Sequence, residues 1–301
     1  MSVVLEFPVE KEYSKNLKII PDDIKLLRQW VNAQPHLPFN YITDLDLILA
    51  YHSCDYEVEV AKQTIDLNFT LRTIFCFYQN REVNNNIEIV FQKWLLLPLS
   101  TPTVKGHRAL YCQLLDEDPK DFVYVDTVRA FMMVMDLWQY EEGTVPGVVV
   151  ILNMDKISLG HLSRVDLLVA QQFFYFLQEA MFVRLKEFHF MNAPNFMDKV
   201  LTLFKPFMQK ELLEVVHVHQ RGANTLDAFM PRPAFPKDAG GENKDSSILR
   251  DEIWSKIKAN KQLIVDENKK RVNESLRPGN PKTISSIFSG IEHTFKKLDI
   301  D

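Results

Sequence analysis

Apolar positions recur at helical spacing from Pro21 to about Glu82. Ile24, Leu27, Trp30 and Val31 share one face. Leu47, Ile48 and Tyr51 fall in a second helix that Thr43 or Asp44 can cap, and Val60, Ile65, Phe69, Leu71 and Phe75 in a third running from Glu57 to Tyr78. After Glu82 the period changes. Arg108 to Leu115 reads as a strand. Asp126 to Glu141 reads as a helix with Val128, Phe131, Met135 and Trp138 on one face. Val148 to Leu152 is a continuous β-branched and aliphatic run, which suits a strand covered on both sides. Leu167 to Met181 predicts the next helix, and Leu185 to Met191 and Val215 to His219 predict two more strands. Strands alternating with helices indicate an α/β fold: a mostly parallel sheet flanked by helices, preceded by a helical bundle.

The segment between the last two strands carries more apolar surface than packing on a sheet requires. Asn195 is placed to cap a helix in which Phe196, Val200, Leu203 and Phe207 form one row. Met197, Leu201, Phe204 and Met208 form a second row beside it. Pro206 pushes Lys205 from helical angles, so a break and a second helix to about Glu214 are expected.

Composition shifts divide the chain into an arm (1–20), a helical unit (21–85), an α/β domain (86–241) and a charged extension (242–301) with a helix over about Ser246 to Ile264. Near the end, Ile284, Ile287, Phe288, Ile291, Phe295 and Leu298 fit an amphipathic helix docked on the domain. The start, MSVVLEFPVEKEYSKN, lacks a basic region and a sustained apolar run, so no signal peptide is expected. The apolar runs at Trp94 to Leu99 and Val148 to Leu152 are far short of the ~20 residues of a membrane span. A soluble cytoplasmic protein is expected.

Composition narrows the function. With 21 Phe against 9 Gly, a glycine-rich phosphate cradle is improbable. A net charge of −5 argues against nucleic acid and against wholesale adhesion to anionic membrane. Cys54, Cys76 and Cys112, without a CxxC pair, read as reduced thiols. No dinucleotide, P-loop, zincin or nucleophile-elbow motif occurs, so no catalytic residue, metal or cofactor is assigned. His217 and His219 point the same way from a strand but lack a third ligand at local spacing; with His189 they read as hydrogen-bonded imidazoles on one sheet face. Asp155 lies just past a buried strand, where α/β enzymes keep reactive groups, yet more simply its carboxylate caps a turn. An enzyme using Asp155, His189 or His217 therefore stays as an alternative.

A series of motifs carries a family resemblance. Lys186-x-x-His189-x-x-Asn192-x-Pro194, then Phe196, Lys205-Pro206-Phe207 and His217-x-His219, resembles the core of CRAL-TRIO lipid-binding proteins, in particular the α-tocopherol-transfer and retinaldehyde-binding branch. Phe235-Pro236-Lys237-x-x-Gly240-Gly241 resembles the LPxxxGG segment of the same family, and the likeness runs from about Pro21 to Gly241. The resemblance implies a carrier that encloses one lipid, without a chemical step, beneath a mobile lid formed by Phe196, Val200, Leu201, Phe204 and Phe207. It implies pocket walls at Ala130, Val134, Val148, Leu152, Phe173, Phe176, Leu177, Met181, Val183 and Phe188. Ala130 and Val134 fall where tocopherol carriers have serines, which keeps other terpenoid, retinoid, sterol-like or fatty ligands open. It further implies transient contact with a membrane surface and with a phosphoinositide headgroup, for which Arg184 and Lys186 match two of the branch's basic positions and Lys205, Lys210 and Arg221 would compensate for the others. Glu211, Val215 and Cys54 stand where that branch has other residues of the cluster. A module in which bound lipid controls a partner remains a second alternative.

Overall fold

A computed structural model describes residues 3–288. Helices α1 (Val9–Lys15), α2 (Pro21–Asn32), α3 (Asp44–Ser53) and α4 (Val58–Ile74) precede α5 (Asn85–Lys93). Strands β1 (Trp94–Pro98), β2 (Arg108–Leu114), β3 (Val148–Asn153), β4 (Leu185–Ala193) and β5 (Val216–Gln220) form a single sheet in sequential order. Strand β1 is antiparallel to β2, and the rest are parallel. Between β2 and β3 runs α6 (Tyr124–Glu142); between β3 and β4 run α7 (Leu159–Leu162) and α8 (Leu167–Glu179); between β4 and β5 run α9 (Met197–Phe204) and α10 (Lys210–Glu214). After the sheet come α11 (Ser246–Ala259) and α12 (Lys261–Glu267).

Four parallel strands laid down in order, each joined by a right-handed crossover, send every crossover helix to the same face. Helices α6 and α8 accordingly pack with Val148, Leu110 and Cys112, while α9 packs with Val150, Phe188 and Phe190. The other face presents Tyr111, Val149, Ile151 and Met191, and is covered by Leu226, Met230, Phe235 and Leu249 from the segment after β5. Strand β3 is thus covered on both sides, as its composition predicts.

Several local expectations need correction. The arm is not loose: α1 forms there, and Glu12 is fully buried. Its carboxylate accepts from the Thr144 backbone N–H at 2.8 Å and hydroxyl at 2.5 Å. A Cβ on Gly143 (φ +67°) would lie 1.8 Å from Glu12 Oε1, so only glycine leaves room for that carboxylate. Asn195 does not cap α9; Phe196 holds the cap position without a side-chain bond. Thr43 does cap α3, in a capping box with Asp46. Pro206 starts no α-helix but sits in a 3₁₀ turn, Lys205–Phe207. The helix over 246–264 is broken at Asn260, and α11 packs closely: Trp254 stacks on Phe91 at 5.2 Å. Of the tail helix, Ile287 and Phe288 pack in the core, Phe288 stacking on Phe75 at 5.9 Å, while Ile284 is exposed. Ile291, Phe295 and Leu298 lie outside the described residues.

The helical unit, α6 and the C-terminal helices meet in a buried ionic network. Arg72 donates to Asp136 at 2.9 Å and to Glu267 at 2.8 Å, and Arg81 reaches the other Asp136 oxygen at 2.5 Å. Lys270 joins Glu267 (2.6 Å) to Asp46 (2.8 Å). Burial alone would push the Asp136 carboxyl up, but the guanidinium groups of Arg72 and Arg81 overcome this and hold it below its ordinary value. Removing one member leaves a buried charge without its counterion. Arg72→Met is therefore expected to lose about 3–5 kcal/mol of stability in urea unfolding. Lys25→Met, in an exposed pair with Asp22, should change nothing measurable. A small effect at Arg72 would show that the network is not load-carrying.

Candidate functional site

A cavity of about 170 Å³ lies between the helical face of the sheet and α6, α8 and α9. Its position follows from the strand direction. Leu152 near the end of β3, Phe190 on β4 and Trp94 opposite Leu114 place it at the C-terminal ends of the parallel strands. In open α/β sheets that is where ligands bind. Thr127, Val128 and Phe131, at three- and four-residue spacing on α6, form one wall. Phe173 and Phe174 of α8 form another; Phe174 sits 5.4 Å from the Phe204 ring at the end of α9. Met154, Ile157 and Leu162, after β3, close the end.

The walls are almost entirely apolar. Thr127 returns its hydroxyl to the Val123 carbonyl at 3.2 Å. Burial pushes the Cys112 thiol up to about 12, so it remains a neutral thiol. Such a space suits an apolar guest and holds no charged side chain to solvate an ionic one.

Of the expected wall positions, Leu152, Phe173 and Phe188 border this cavity, and Phe204 borders it from the end of α9. Ala130, Val134, Phe176, Leu177 and Met181 pack in the main core instead. Phe176 lies against Tyr78 at 5.1 Å. Val148 and Val183 border a much smaller pocket near His52. The reason is directional. Val148 opens β3, while Phe176 to Met181 end the helix that returns to the start of β4, so these residues lie at the opposite end of the sheet. The face of α6 that reaches the cavity is the one carrying Val128 and Phe131, which its periodicity marks. Val200 is buried against the sheet, Phe196 and Leu201 pack beside it, and Phe207 packs with Phe174 and Met208.

The expected cationic cluster is divided. Arg184 donates to the His52 carbonyl at 2.7 Å, pairs with Asp55 at 2.8 Å and lies over the Tyr56 ring. Lys210 pairs with Glu214 at 3.7 Å. Arg221 follows β5 and pairs with Asp155 at 2.8 Å. Strands β4 and β5 are parallel, so Arg184 and Lys186 at the start of β4 and Arg221 past the end of β5 lie at opposite ends. The nine residues of β4 span about 30 Å, too far for one headgroup. The same pair corrects the role of Asp155: its carboxylate engages Arg221, and it is the Asn153 side chain that accepts the Asp155 backbone N–H, closing the turn.

The histidines lie on the face away from the cavity. Glu187 accepts from His189 Nε2 at 3.2 Å, which makes Nδ1 the acceptor for His219 Nε2 at 2.9 Å. His219 Nδ1 then accepts from the Thr225 hydroxyl at 2.8 Å. Every proton in the chain is assigned and both nitrogens of His189 are engaged, so it is not a free base. The rings of His189 and His217 stack at 4.8 Å. Among the described residues no group of three or more His, Cys, Asp or Glu is placed to hold a metal ion, and no helix is long and apolar enough to cross a membrane.

Residues 96–241 match the CRAL/TRIO domain model, and residues 16–87 match the Pinta-like UBA domain model. The human protein "Alpha-tocopherol transfer protein-like" is 26% identical over 238 residues, covering 77% of this chain and 62% of that protein. The chain thus spans less than two thirds of the length of this relative. Clavesin-1 of Xenopus laevis is 23% identical over 137 residues, covering 45% of this chain and 41% of its own. The solved structure of Sfh5 aligns over 95% of this chain and 97% of its own at 13% identity, with a TM-score of 0.44, too low to argue from.

Burial pushes His189 down to about 4, against about 6.5 for a histidine in an unfolded chain. The unfolded chain binds a proton in that interval that the folded chain refuses. This contribution is therefore whole above about 6.5 and is lost as pH falls toward 4. Burial brings His52 to about 4 as well, with the same sign. Melting temperature should fall steadily from about pH 7 to about pH 5, and less steeply in His189→Asn. A flat profile would contradict the buried neutral chain.

Proposed function

As the chain belongs to the CRAL-TRIO family, we propose that it binds and transfers a hydrophobic lipid, held at the C-terminal ends of the parallel strands and admitted past α9, with no chemical step. The observation that carries this reading is the apolar-walled void itself, present in a chain whose Phe and Met residues are numerous enough to fill it.

Size argues for a moving part. A void of about 150 Å³ takes up one benzene, and sites for drug-sized molecules run to roughly 300–1,000 Å³. At about 170 Å³ this space holds only a fragment of an isoprenoid or acyl chain. Loading requires displacement of Phe204, and with it α9, which packs on the sheet by Met197 and Val200 and is followed by an irregular turn. The reward is large. Burying a dozen carbons gains about 10 kcal/mol at ~0.8 kcal/mol per CH₂ before ordering costs. That suffices to detach a lid held by a few side chains.

The name of the alpha-tocopherol transfer protein-like relatives favours a tocopherol-like terpenoid over a charged lipid, and the aromatic walls suit it. Exchange would occur during transient contact with a membrane. Lys186 and Lys210, both exposed, would be the cations to meet a lipid phosphate, with Glu211 opposing them.

Phe204→Asp should leave the circular dichroism spectrum unchanged and weaken uptake of a fluorescent apolar lipid by roughly tenfold or more. Leu152→Trp, filling the void without adding charge, should act in the same direction. Normal loading in both variants would remove the cavity and the lid from the mechanism. Mass spectrometry of the organic extract of freshly purified protein would name the passenger.

A further inference from the structure

A buried imidazole on the cavity wall is incompletely satisfied. His161, on the short helix α7, is only 3% exposed and borders the cavity. Its Nδ1 accepts the Ser158 backbone N–H at 3.2 Å and lies 2.9 Å from the Ser158 hydroxyl. A backbone amide is an obligate donor, so Nδ1 carries no proton. The neutral ring must then hold its proton on Nε2. That Nε2 is buried and has no partner. Burial, followed by the nearby Lys93, holds His161 below its ordinary value, which keeps the ring neutral at physiological pH. The protein therefore holds one fixed N–H donor behind a wall whose other polar side chains include Tyr124 and Thr127, within reach of a guest once the cavity widens as loading requires.

We propose that His161 is the ligand-orienting residue: its Nε2–H donates to a neutral oxygen at the polar end of the lipid, so the site prefers a long apolar chain ending in a carbonyl, ether or hydroxyl over the bare hydrocarbon and over the carboxylate of the same chain. This rests on the lipid-binding reading above. The preference for a neutral oxygen follows from the walls. No cation lines the cavity to offset a buried carboxylate, whereas a neutral acceptor satisfies an otherwise wasted donor. The rival partner is a water on the side of Lys93, where His161 also borders a pocket of about 10 Å³. That is at the lower limit of the space one water needs.

The test uses the full chain and three probes of one skeleton: a long-chain alkane, its methyl ketone and its carboxylate, each competing with a fluorescent apolar lipid. The ketone should bind about tenfold more tightly than the alkane, and more tightly than the carboxylate. In His161→Phe, which keeps a planar ring, the ketone should lose that advantage while the alkane binds as before. Because His161→Phe also removes the acceptor for Ser158 and could loosen α7, a second readout uses the unaltered protein. With ¹⁵N-labelled histidine, the Nε2–H resonance of His161 should move on adding ketone and stay in place on adding alkane. Equal affinities for ketone and alkane, or an Nε2–H signal blind to ketone, would overturn the role of His161 while leaving lipid binding intact. Failure of the fluorescent lipid itself, and of all three probes added directly, to bind would instead bring down the lipid-binding reading, and this one with it.

Discussion

The sequential order of the parallel strands is the constraint from which the rest follows. Because β2, β3, β4 and β5 step across the sheet in one direction, right-handed crossovers have only one face available. Three helical connections must share it. Between α6, α8 and α9 at the C-terminal ends of the strands, their side chains leave a gap. The void is thus a product of topology as much as of side-chain choice. The same constraint leaves the opposite face to be covered by chain that follows the sheet, which explains why Phe235 and Leu249 belong to the core.

Chemistry is segregated accordingly. The helical face is apolar and holds the void. The opposite face holds the neutral histidine chain and a second polar group, in which Asn153 donates to the Tyr111 hydroxyl, itself bonded to Gln113. Ser246 completes it by bonding Gln113 and Asp238. These polar groups tie the returning segment to the sheet. The ionic network around Asp136 does the same for the helical unit and α12. Polar satisfaction thus fixes the frame, whereas the cavity walls themselves are packed chiefly by apolar side chains.

Regular elements were legible wherever one face carried a clear period, as in α2 and α6, or where an apolar run was unbroken, as in β3. Those set by distant partners were not. Helix α1 has few apolar residues and exists because Glu12 finds Thr144, more than a hundred positions away. The α9 cap was misplaced because Pro194 and Asn195 were read locally, whereas the chain turns into the helix one residue later. The site was half legible. Val128 and Phe131 were marked by periodicity, yet carrying a family pattern across α6 without an anchoring motif selected the neighbouring face. His161 gave no signal at all: a lone histidine in SLGHL acquires meaning only when its unpartnered nitrogen is seen beside a cavity.

The bare α-carbon at position 143 makes the opening turn of the protein part of its base. The Glu12 carboxylate occupies the space a side chain there would claim, and Lys15 fastens the same helix to the Glu142 carbonyl at 2.9 Å. Residues 9–15 therefore behave as a plug seated against the C-terminal end of α6 and the turn that follows it. Trimming them, or fusing a purification handle close by, would uncork that end of α6 and take from the Thr144 backbone N–H the carboxylate it meets here.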